Sequence, residues 1–77
     1  MKLIINVNSV SPNNLFVVNG SEIIREWQVM GPDMTTMIDK IFSEYYIEAV
    51  YFNCDNNYAR KFESYIENKY QKVEVIH

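Results

Sequence analysis

Few side chains in this sequence have the means for chemistry. There is one cysteine, Cys54, and one histidine, His77, the final residue. A nucleophilic thiolate needs a base held beside it, and the last residue of a chain is a poor platform for preorganised catalysis. One Cys and one terminal His also fall short of a four-ligand zinc site, and a lone cysteine cannot close an intramolecular disulfide. Cys54 therefore reads as a small, semi-buried residue near a strand end. The remaining polar group is Asn6, Asn8, Asn53 and Asp55. These residues are expected to converge at the carboxyl ends of two central strands, where open sheets tend to bind small ligands. The simpler reading is a polar surface rim, with Asp55 as the cap of the helix that follows it. No phosphate-binding loop or dinucleotide fingerprint occurs. The expectation is no catalytic residue, no metal and no cofactor.

The elements that must position these residues follow from periodicity. Residues 2–7 alternate in part, with Leu3, Ile5 and Val7 on one side and Lys2, Ile4 and Asn6 on the other, which predicts a strand. Ser11-Pro12-Asn13-Asn14 marks a loop, and residues 15–18 a second strand. Asn19-Gly20 is a hairpin signal, because both central residues of a type I′ turn take positive φ. A third strand follows over residues 21–29, with Ile23, Trp27 and Val29 on one face and Glu22, Ile24, Glu26 and Gln28 on the other. Asp33 is a natural N-cap for a helix whose stripe is Met34, Met37, Ile38, Ile41, Phe42 and Tyr45. The two methionines read as core filler. Residues 47–52 form a nearly continuous apolar run, as in a central strand. A second helix carries Tyr58, Phe62, Tyr65, Ile66 and Lys69 inward, and residues 72–76 alternate as a final strand.

The order is β-β-β-α-β-α-β. Hairpins make the first three strands antiparallel neighbours, and right-handed crossovers add the last two in parallel. The expected fold is an α+β domain spanning residues 1–77, a five-stranded mixed sheet of order 3-2-1-4-5. Both crossovers progress in the same sense, so both helices are expected on one face. The other face is then bare, with Ile4, Ile24, Val50, Phe52 and Ile76 as its apolar centre and Lys2, Glu22, Glu26, Glu48, Lys72 and Glu74 as a charged margin. An apolar centre inside a polar rim is the anatomy of a protein–protein contact. A one-residue slip in register would exchange the two faces.

This element order resembles the ribonuclease H-like fold, without its further C-terminal helix. The resemblance implies carboxylates on the first strand, the first helix and the end of the fourth strand, together holding two Mg²⁺ ions. At the first-strand positions this chain has Asn6 and Asn8; Asp55 lies at or just past the fourth-strand position, and Asp39 or Glu44 would serve on the helix. Magnesium is held best by carboxylates, so the amides argue against two-metal hydrolysis. Actin-like ATPases share the strand arrangement, but the loop over residues 8–14 has neither their glycines nor an acid.

Seventy-seven residues, 48% hydrophobic and 22% charged, match one small globule rather than a disordered chain. Residues 1–5 begin like a signal peptide, but Asn6 and Asn8 cut the apolar stretch short. No run approaches the ~20 residues of a membrane span, so the cytoplasm is the expected compartment. The net charge of −3 argues against a phosphate-binding face. Residues 31–55 hold Asp33, Asp39, Glu44, Glu48 and Asp55 against Lys40 alone, a local −4, which suits a basic partner. Size, composition and the lack of catalytic motifs look like a small phage-encoded accessory protein. The leading expectation is a non-enzymatic interaction protein and homodimer, a phage-type inhibitor. It would present acidic residues to a basic, nucleic-acid-binding host protein of the HU type by mimicking nucleic acid. The rivals are a degenerate metal- or nucleotide-binding domain and a structural subunit of a larger assembly.

Overall fold

The computed structural model describes residues 1–10, 12–53 and 57–76. Five strands, β1 (Lys2–Asn6), β2 (Asn13–Asn19), β3 (Glu22–Val29), β4 (Ala49–Phe52) and β5 (Glu74–Ile76), form one sheet of order β3-β2-β1-β4-β5. The β1–β2 and β2–β3 pairs are antiparallel, and β1–β4 and β4–β5 are parallel. Helices α1 (Met34–Glu44) and α2 (Asn57–Lys69) supply the two crossovers. The order and strand directions are those expected from the hairpins and the handedness rule.

Both helices lie on one face. Leu3 and Ile5 of β1, Leu15 and Val17 of β2, and Val50 and Phe52 of β4 share a single core with Met34, Ile38 and Ile41 of α1 and Ala59, Phe62 and Ile66 of α2. Each fully buried aliphatic or aromatic side chain of this kind contributes on the order of 2 kcal/mol. The core corrects the expectation for Val50 and Phe52, which are 0% and 4% exposed and belong to the covered face. The cause is register: Leu3 pairs with Val50 and Ile5 with Phe52, and partners in a parallel ladder point the same way. Glu48 lies outside β4, which starts at Ala49. The uncovered face takes Ala49 and Tyr51 instead, the partners of Lys2 and Ile4.

Three local features also depart from expectation. The β2–β3 loop is Gly20-Ser21, with Asn19 already paired to Glu22. Only Gly20 has positive φ, at 63°, as in a type II′ turn, where glycine takes the first central position. A register shift between Val17 and Val18 pairs Val17 with Arg25 and Val18 with Ile23, leaving Ile24 as the extra residue of a β-bulge. The bulge moves Ile23 off the core face, and Ile23 is 62% exposed. Finally, a 3₁₀ turn, Gly31–Asp33, runs straight into α1, so Asp33 has a φ of −98° and its side chain makes no capping hydrogen bond. A chain already coiled at that position lacks the extended N-cap geometry a capping side chain needs.

Candidate functional site

The ladder registers sort the uncovered face into rows that cross the strands. The central row is Glu26, Phe16, Ile4, Tyr51 and Ile76, from β3 to β5. Four adjacent apolar side chains in it, Phe16 to Ile76, are half-buried with no helix above them. Toward the carboxyl end of β1 lies an amide row, Gln28, Asn14 and Asn6. On the other side the row is Ile23, Val18, Lys2, Ala49 and Glu74. The Lys2 ammonium sits 5.5 Å from the centre of the Tyr51 ring, a cation–π contact that lays its stem along the apolar stripe. Of the residues expected on this face, Ile4 and Ile76 are in the stripe and Ile24 is at the bulge, 40% exposed. Phe16 and Tyr51 complete the surface, and Val18 lies on this side but is buried. Phe16 and Val18 were legible from alternation once Leu15 and Val17 are set inward. Tyr51 was not, because residues 47–52 are apolar on both faces.

Of the four residues of the expected acidic face, three are exposed and one is engaged within the chain. Asp33, Glu44 and Glu48 are exposed, and Glu48 lies 3.6 Å from the amino group of Met1. Asp39 is engaged. Its Oδ2 accepts hydrogen bonds from the Tyr65 hydroxyl at 2.6 Å and the Lys69 ammonium at 2.9 Å, and its Oδ1 accepts one from the Tyr70 hydroxyl at 2.6 Å. Lys69 also donates to the Tyr65 oxygen at 3.2 Å, and the Tyr70 ring stacks on Phe42 at 4.0 Å. Desolvation pushes the Asp39 carboxyl up, but the three donors together outweigh it and hold it below its ordinary value. Desolvation, then the bond to Asp39, pushes the Tyr70 hydroxyl up to about 12. The hydrogen bond to Asp39 also raises Lys69 above its usual range. This cluster ties α1 to the last turn of α2. It spends the carboxylate that both the basic-partner and the helix-carboxylate readings drew on.

The expected polar pocket is brought together only in part. Asn6 faces out in the amide row, and Asn53 is exposed, its backbone N–H donating to the Ile5 carbonyl at 2.9 Å. Cys54, Asp55 and His77 lie outside the described residues. Asn8 does line a cleft of about 470 Å³ between the loop after β1, the start of β2, the 3₁₀ turn and the first turns of α2. The Asn8 backbone N–H donates to Asn13 Oδ1 at 2.8 Å and its Nδ2 donates to the Pro12 carbonyl at 3.0 Å, which pins the loop. Among the described residues no group of three or more His, Cys, Asp or Glu side chains is placed to hold a metal ion. No helix among them is long and apolar enough to cross a membrane. No family model matches this chain, and no similar curated protein or solved structure is found for it.

Proposed function

We propose that this chain works as a non-enzymatic interaction protein and that its contact surface is the uncovered sheet face, closed by a second copy of the same chain. The observation that carries the reading is the Phe16–Ile4–Tyr51–Ile76 stripe, four apolar side chains adjacent across β2, β1, β4 and β5. The stripe is centred between β1 and β4. A two-fold axis along the strands there stacks it on itself in reverse, with Phe16 over Ile76 of the second copy and Ile4 over Tyr51. In the neighbouring row, Lys2 then meets Ala49 of the second copy, one strand spacing of about 5 Å from its Glu74. The charges complement each other twice. Strand dimensions give a contact of about 400 Å² per copy, which belongs to the weak, transient class of association.

Face-to-face packing of the sheets sends the two helix layers outward on opposite sides. Asp33 and Glu44 of the two copies therefore do not merge into one acidic stripe in this dimer; Asp39 is paired internally, while Asp33, Glu44 and Glu48 remain exposed to a basic partner. Sedimentation equilibrium tests the proposal. Wild type should show reversible dimerisation as its concentration approaches about 1 mM, and Tyr51→Glu should stay monomeric while keeping its far-UV spectrum. A wild-type monomer throughout that range would reject the self-association.

A further inference from the structure

The cleft at the carboxyl end of β1 is separate from the sheet face, and its chemistry is of a different kind. Val10, Met30 and Tyr58 line it while being 95%, 55% and 50% exposed. Six large apolar side chains of the described chain are exposed to this degree or nearly so, and half of them meet at this one concavity. Apolar groups convergent on a cleft are the usual lining of a small-molecule site. The volume of about 470 Å³ lies within the span of such sites.

Among the described residues of the lining, the one charged side chain is Lys61. Its ammonium stands 5.2 Å from the Tyr58 ring centre and 5.1 Å from that of Phe62. Among the described residues no carboxylate forms a salt bridge with it. The ammonium is thus held over two aromatic faces. At the floor, Asn13 is 3% exposed and its side-chain oxygen accepts a hydrogen bond from the Asn8 backbone N–H. An amide floor, an apolar rim and a cation with no salt-bridge partner among the described residues define a complementary ligand.

We propose that this cleft binds a small organic monoanion, with an aromatic or branched apolar body against Tyr58 and Met30 and a carboxylate on Lys61. The proposal is independent of the sheet-face reading. The test is a titration of ¹⁵N-labelled protein with 2-naphthoate, with neutral 2-naphthamide as its uncharged counterpart. Saturable shifts are expected at the amides of Asn8, Asn13, Gly31 and Lys61, and the amide should bind at least about fivefold more weakly. Lys61→Glu should weaken naphthoate binding by about tenfold or more, and Tyr58→Ala by a few fold. Tyr51→Glu, altered only on the sheet face, should bind as wild type does. Absence of saturable shifts, equal binding of acid and amide, or loss of binding in Tyr51→Glu would each overturn the assignment.

Discussion

Leu3 of β1 and Val50 of β4 stand opposite each other in the parallel ladder, both completely buried. This pairing decides which half of the apolar run over residues 47–52 is core and which half is surface. It predicts opposite outcomes for substitutions one position apart. Phe52→Glu places an unpaired carboxylate among core side chains and should abolish cooperative unfolding, since the cost of several kcal/mol is comparable with the whole stability of a small domain. Tyr51→Glu should shift the melting temperature by only a few degrees. Thermal melts followed by circular dichroism distinguish the two, and equal tolerance of both would show the register to be wrong.

Asp39 is the acceptor for three donors on or just beyond α2, so its removal should loosen the helix pair. Asp39→Asn keeps the shape and removes the charge, and a loss of about 1 kcal/mol, roughly 5 °C, is expected. Asp39→Ala should cost more, because it strands two tyrosine hydroxyls.

The same cluster sets a pH dependence on both sides. The Asp39 carboxyl is lowered in the folded state, so its contribution is present above the ordinary 3.8 and is lost as the pH falls through the lowered value. The Tyr70 hydroxyl is raised from 10.0 to about 12, so its contribution is complete below 10.0 and fades as the pH rises toward 12. Urea midpoints measured against pH should fall at both extremes in wild type, and both limbs should flatten in Asp39→Asn. Unchanged limbs in the variant would contradict the network.

Charge exchange tests the geometry of the proposed dimer. Lys2→Glu and Glu74→Lys should each weaken self-association, by roughly two- to fivefold at low ionic strength, and the double variant should recover most of it. Additive losses in the double variant would exclude an axis between β1 and β4.

The β2–β3 turn gives a backbone test. Gly20 has a φ of 63° and nothing within 4 Å of a Cβ built on it, so only backbone conformation opposes a side chain. Gly20→Ala should cost about 1 kcal/mol, and Gly20→Asn distinctly less. Chemical denaturation measures the difference.

Element order, strand order and the shared face of the two helices were determined by the sequence itself. Each rests on a local signal: the Asn19-Gly20 turn, the 3.6-residue period from Met34 to Tyr45, and the fixed handedness of parallel crossovers. Alternation also assigned β1, because Lys2 and Asn6 mark its polar side. Tertiary structure alone decided the phase of β4, since an apolar run buried on one face and half-buried on the other has no polar residue to fix its register. It also decided the bulge at Ile24, which depends on how β3 twists against β2, and the fate of Asp39, whose donors lie 26 to 31 residues away. A sequence shows that a carboxylate is present; whether it faces water or three donors depends on where another helix is set down.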